Sequence, residues 1–335
     1  MTVTEVPETG EAPTTGSVSP LRRWMLRPEA PGLMFLLAMI VLFSLVIDNF
    51  ARLNNFQNVL LQVAVTGIIA LGVNLVILGG EIDISMGSLL GLSAMTAGTV
   101  GVATGSLWAT IGAGVAVGAV SGAITGAIVT KGRVPAIIVT LGMLYALRGM
   151  ILLTTGGTSV SGIPIEARAL GRAEWFGIGA PIWLFVGVAL LTWYLLKHTT
   201  WGRDVMAVGG NRRASRMAGL ATDRVRWLTF VVSGALVGLA AVVFVGRTAG
   251  VQPSAGLGME LEAIAAVVLG GTSIAGGRGS PVSPVIGALI IGVITNAMVL
   301  QRIPGVWQSA VLGTLILAAV AVDGFRTRVL RGGTR

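Results

Sequence analysis

Cysteine is absent from the 335 residues, which excludes disulfides, cysteine-ligated metal and thiol chemistry. Lysine occurs only as Lys131 and Lys197, and neither follows a glycine, so the chain contains no Gly-Lys-Ser/Thr phosphate loop. The one histidine, His198, has no carboxylate beside it and suits neither a metal site nor a general base. A His-Glu-x-x-His pair is missing, and no Ser-His-Asp set suggests itself. Hydrolytic chemistry is therefore not expected, nor is a metal or a cofactor. Charge is scarce as well, at 11% of residues. What fills the chain is apolar: 54% of residues are hydrophobic and 49 are glycine. That balance belongs to multi-span membrane proteins, whose helices approach closely over glycine.

Ten apolar stretches stand out: 32–47, 59–79, 87–103, 107–129, 134–153, 181–197, 227–246, 259–275, 282–300 and 306–322. About 20 helical residues cross the hydrocarbon core, and only helices can satisfy the backbone of such runs in lipid. The predicted fold is an all-α membrane protein of about ten transmembrane helices, with both termini cytoplasmic. Residues 1–28, rich in Thr, Pro, Gly and Ser, are expected to form a disordered tail. The membrane domain covers 29–325, and 326–335 is a basic cytoplasmic tail. With this topology 17 of the 23 basic residues fall on the cytoplasmic side, as the positive-inside rule requires. The net charge of +9 thus reports orientation and not nucleic-acid affinity. Gly114, Gly118, Gly122 and Gly126 form a glycine face on the fourth span, expected to pack within the molecule.

Three groups of residues could carry function. The first is the cytoplasmic loop 198–226, with six arginines. Within it Gly209-Gly210-Asn211 precedes Arg212-Arg213-Ala214-Ser215-Arg216, and Gly219 follows. Asn211 suits an N-cap and Gly219 a left-handed stop, which predicts a short helix over about 212–219. Two turns are marginal alone, so this helix needs something to pack on. It either docks on a partner or lies as an ordinary basic loop on anionic lipid. The second group is the break Gly79–Ser88, where Glu81, Asp83 and Ser85 stand between two apolar runs. It reads either as a polar turn that caps the next helix or as an interruption beside the conduit. The third comprises Arg148, Glu260 and Glu262, ionisable groups at or within spans. Arg148 can snorkel, and both glutamates are expected at the outer start of their span; a gate role is the other reading. The stretch 154–180 is either an extracytoplasmic docking surface or a plain loop.

The run Trp201-Gly202-Arg203-Asp204-Val205-Met206-Ala207-Val208-Gly209-Gly210-Asn211, with its Arg-Ala-Ser-Arg-Met-Ala-Gly continuation, resembles the coupling segment of monosaccharide ABC-transporter permeases. Gly79–Ser88 is similar to that family's Gly-x-Ile-Asp-Leu-Ser-x-Gly-Ser signature, and Glu260–Ser273 followed by Gly276-Gly277-Arg278-Gly279 is a third match. Thr140–Met143 with Arg148-Gly149 is a fourth. Glu262 stands where an aspartate is common in relatives. The resemblance, over roughly 30–325, implies a bacterial inner-membrane permease subunit of an ATP-driven importer for a monosaccharide or related polyol. It implies as partners a cytoplasmic ATPase, an extracytoplasmic sugar-binding protein and a second permease. The basic helix would dock on the ATPase, and Asp83, Ser85, Arg148, Glu260 and Glu262 become candidates for the pathway or its gate. An ion-coupled secondary transporter is the alternative; it would place carboxylates in mid-span.

Overall fold

The computed structural model describes residues 28–308 together with 310, 311, 313, 314 and 317. The tail over 1–27, the basic tail at 326–335 and most of the tenth apolar stretch lie outside these residues. The described chain is helical almost throughout: α1 (Ala30–Val46), α2 (Leu53–Leu78), α3 (Met86–Thr104), α4 (Leu107–Thr130), α5 (Ala136–Thr155) and the single turn α6 (Ala169–Arg172) come first. A two-residue antiparallel pair, β1 (Glu174–Trp175) with β2 (Ile178–Gly179), then leads into α7 (Ala180–His198). The remainder is α8 (Thr200–Gly210), α9 (Arg212–Met217), α10 (Thr222–Thr248), α11 (Met259–Leu269) and α12 (Ser283–Leu300). Seven of these helices, α2, α3, α4, α5, α7, α10 and α12, are long and apolar enough to cross a membrane. α1 is apolar but shorter, at 17 residues.

α2 is the central post. Its residues from Gly67 to Leu78 are all buried, because a helix that is apolar all round can satisfy itself only inside a bundle. α10, α12, α11 and α7 pack around it, and α4 lies outside α10. The α4–α10 contact is built on the glycine face. A Cβ on Gly114 would meet the carbonyl of Gly238, one on Gly118 that of Gly234, and one on Gly122 that of Phe230. The face therefore serves packing within the molecule, as expected. Trp227 of α10 closes the seam by donating from Nε1 to the Ala123 carbonyl at 3.0 Å. Gly118→Leu should lower the melting temperature of the detergent-solubilised protein by several degrees, since overpacking of this kind costs about 1–3 kcal/mol. Gly112→Leu, where a Cβ meets nothing within 4 Å, should leave it unchanged.

One helix of the bundle is too short for a span, and another starts at an offset. α11 has 11 residues, about 16 Å of rise, roughly half the hydrocarbon thickness. The expected span 259–275 thus stops at Leu269, where Gly270 and Gly271 turn the chain and Gly271 takes φ +105°. α3 begins level with the interior of α2: Met86 lies by Ser233, which also abuts Gly72, six residues before the last residue of α2. That offset places the start of α3 about 9 Å up from the end of α2.

Candidate functional site

The loop expected over 198–226 folds into two helices. Thr199 caps α8 by accepting from Gly202 N at 3.1 Å, and Asn211 caps α9 by accepting from Ala214 N at 3.0 Å. Gly219, at φ +84°, follows α9 in the left-handed conformation. α9 shows Arg213 and Met217 to solvent, while Ser215 is buried. Arg216 reaches Asp223 at 3.2 Å and the Thr222 hydroxyl at 3.3 Å.

Arg212 points the other way, onto Glu81. The same Glu81 Oε1 takes Arg226 of α10, with Nη2 at 2.6 Å and Nε at 2.8 Å. Glu81 and Arg226 are both under 10% exposed, whereas Arg212 is 43% exposed. A buried carboxylate holding two guanidiniums satisfies what either charge alone would lose on leaving water. The cluster forms one wall of a cleft of about 630 Å³, completed by Arg133, Pro135 and Ile137 at the start of α5.

Beneath the cleft three glycine pairs meet. Gly80 at the end of α2, Gly209 at the end of α8 and Gly276-Gly277 in the turn after α11 lie backbone against backbone. Gly277 N donates to the Leu78 carbonyl at 3.0 Å, and a Cβ on Gly209 would strike that same carbonyl. Gly80, Gly276 and Gly277 have φ of +80°, +82° and +66°, which L side chains rarely adopt. Asn74 fastens the turn by accepting from Thr272 Oγ1 at 2.8 Å and donating to the Ser280 carbonyl at 3.4 Å. Gly210, by contrast, has nothing nearer its missing Cβ than 4.0 Å.

From this junction the chain climbs through residues 81–85 to α3. Asp83 Oδ1 accepts from the amide of Ser85 at 2.8 Å and from its hydroxyl at 2.6 Å, so the buried pair closes a local turn that launches the helix. Thr140, in the fourth matched block, donates toward the Ile82 carbonyl at 3.5 Å. The first turns of α3 and α11 then face each other. Gly87 rests against Glu260 and the Gly256 carbonyl, and Gly91 against the Ala255 carbonyl. Glu260 Oε1 accepts from Gly258 N at 3.3 Å, while its buried Oε2 has no hydrogen-bond partner among the described residues. A carboxylate against the N-terminus of α3 offsets the positive end of that helix.

Glu260 and Glu262 sit in the first turn of α11, and residues 249–258 run back along α3 before that helix begins. Val251 bridges to Val160 by two 2.9 Å bonds beside Gly98, and Ala255 lies by Gly91. Arg148 does not snorkel: its Nη1 donates to the Pro253 and Ala255 carbonyls at 2.9 and 3.0 Å and pins the fold-back. Glu262 borders a small polar cavity of about 90 Å³ with Gln62, Thr66, Thr295 and Gln308. Arg148→Leu should speed amide exchange over 249–258 and cut transport about tenfold, since bonds from a charged donor contribute about 1.5–3 kcal/mol each.

Residues 55–320 match the family model described as the branched-chain amino acid transport system permease component. The chain belongs to this family. The ribose import permease protein RbsC of Escherichia coli (strain K12) is 42% identical over 322 residues, covering 92% of this chain and 98% of that protein. The L-arabinose transport system permease protein AraH of the same organism is 37% identical, covering 86% and 88%. The autoinducer 2 import system permease protein LsrC of Yersinia pseudotuberculosis (serotype O:1b, strain IP 31758) is 34% identical, covering 88% and 84%. No solved structure matches. The permease is a multi-pass protein of the bacterial inner membrane.

Of the residues singled out in the sequence, the permease brings Gly209, Arg212, Asn211 and the Gly79–Ser88 break into one cluster, and Arg148, Glu260 and the start of α3 into another. Arg213, Ala214 and Gly219 stand apart on the outer side of α9 and its stop, whereas Arg216 lines the cleft and pairs with Asp223, which Arg226 also holds at 3.4 Å. One pairing is not visible in the sequence. Arg226 reads there only as one of six arginines, although an arginine four positions into an apolar helix needs a carboxylate near it. Glu81 stands beside Asp83, and nothing local joins it to positions 131 and 145 residues away.

Proposed function

We propose that this chain is the permease subunit of an ATP-driven importer of a monosaccharide or related polyol, with α9 as the contact through which a separate ATPase acts. The observation that carries the reading is α9 itself. A six-residue helix is too short to persist alone, yet this one is capped, anchored by Arg212 and Arg216, and shows Arg213 and Met217 outward. An exposed apolar tip with a cation beside it fits the groove of a partner. In this reading the α9 end faces the cytoplasm, ten spans bring both termini there, and a second permease completes the pathway. An extracytoplasmic binding protein delivers the solute. The full-length similarity to ribose and arabinose permeases favours a sugar over the branched-chain amino acid in the family description.

Co-reconstitution with an ABC ATPase and a sugar-binding protein from the same organism tests the proposal. Ribose, arabinose or a related polyol should stimulate ATP hydrolysis and vesicle uptake, and leucine should not. Arg213 and Met217 become informative crosslinking sites, because both face outward and the chain has no cysteine to remove first. An Arg213→Cys protein that never crosslinks to the ATPase, or uptake abolished by proton and sodium uncouplers without ATP, would overturn it.

A further inference from the structure

We infer that Glu81 is a positioning residue for transport, a latch through which movement of α9 reaches the mid-depth meeting of α3 and α11. The inference rests on the proposal that α9 takes its force from an ATPase. Glu81 is shared between two cations of unequal freedom. Arg226 is buried on the long helix α10 and binds through two nitrogens, so it anchors the carboxylate to the bundle. Arg212 is half exposed, opens a helix of only six residues, and lines the cleft of about 630 Å³. The cleft gives α9 room to shift toward α5 while Arg226 stays in place.

What Glu81 passes on is set by the chain that follows it. Four residues separate it from Met86, and the Asp83–Ser85 turn makes those four a compact connection instead of slack. Gly87, one residue further, carries Glu260 and the Gly256 carbonyl on its surface. A displacement of Arg212 therefore loads, in order, Glu81, the turn, the first turn of α3 and the fold-back that Arg148 holds. Arg212–Glu81 is the one direct ion pair among the described residues between α9 and the segment 79–88; Arg216 reaches Glu81 only through Asp223 and Arg226.

The test compares solute imported per ATP hydrolysed in the reconstituted transporter, together with hydrolysis in the absence of binding protein. Glu81→Gln should lower the ratio at least fivefold and raise unstimulated hydrolysis, while Glu81→Asp keeps most of the wild-type ratio. Arg212→Ala serves where Glu81→Gln fails to assemble, because it leaves the Glu81–Arg226 pair intact; it should lower the ratio similarly. A residue that only stabilised the fold would reduce the amount of transporter and leave the ratio unchanged. An unchanged ratio in Arg212→Ala overturns the latch. Failure of the wild-type chain to couple to any ATPase would instead overturn the function proposed above, so the two failures are distinguishable.

Discussion

Replacing Gly209 by valine is expected to reduce uptake below about a tenth of wild type. The same change should lower the yield of monodisperse protein in detergent. Its Cβ would fall on the Leu78 carbonyl and close to the Gly277 amide, which bond to each other at 3.0 Å. Those atoms are backbone and cannot swing aside as a side chain can, so the end of α8 has to lift from the end of α2. Forced repacking of this sort costs about 1–3 kcal/mol or more. A marginal bundle with 5–15 kcal/mol in hand does not absorb that at a three-way junction without losing its geometry. The neighbouring Gly210→Ala supplies the contrast. Its nearest neighbour is 4.0 Å away, so it should retain wild-type uptake and stability. If Gly209→Val imported solute normally, the junction would have no mechanical importance.

Arg226→Ala is expected to be the most damaging loss of a single charge. It strands a carboxylate that is 9% exposed and keeps only the half-exposed Arg212 as its partner. Removing one member of a buried pair costs about 3–5 kcal/mol, most of it the unpaired charge left behind. Thermal unfolding of the purified permease, followed by intrinsic tryptophan fluorescence, should show a clear drop. Arg216→Ala removes a pair whose members are 61% and 53% exposed, and exposed pairs contribute about 0–1 kcal/mol. It should melt close to wild type. The two variants remove the same residue type from the same end of the molecule, so equal effects would contradict the burial on which the difference depends.

Hydropathy alone traces the long helices because lipid demands it of them. The stretch 107–129 is α4 to within a residue, and 181–197 is α7. Departures have local causes. α2 starts at Leu53, ahead of the apolar run, because Leu53–Asn58 is polar but still helical; Asn55 pairs its amide with that of Asn296 by two 2.9 Å bonds. α8 hides inside the basic stretch because its apolar side is only a few residues, with Val205 and Val208 turned inward. The span expected over 259–275 joins a half-length helix to a turn that carries no charge, and an apolar-run reading does not register the bend at Gly270-Gly271.

The site was legible in pieces. The Asn211 cap and the Gly219 stop follow from side-chain chemistry within a few residues. The meeting of Gly80, Gly209 and Gly276-Gly277 does not, although all three doublets sit in the motif blocks. Each looks locally like a turn, and only their shared need for bare backbone, set by segments some 130 and 67 residues apart, gives them a common purpose. Arg148 and Glu260 are unusual in an apolar chain and so announce themselves. Their depth depends on the fold-back at 249–258, whose Gly and Pro content could equally belong to a surface loop.

The half-length α11 and the longer α3 bring their amino ends together, and Arg148 stands beside them. Each end bears roughly +0.5 of an elementary charge. Added to a guanidinium, they offset the carboxylates of Glu260 and Glu262, which share the first turn of α11. That balance is what lets two acids share one helical turn inside an apolar bundle.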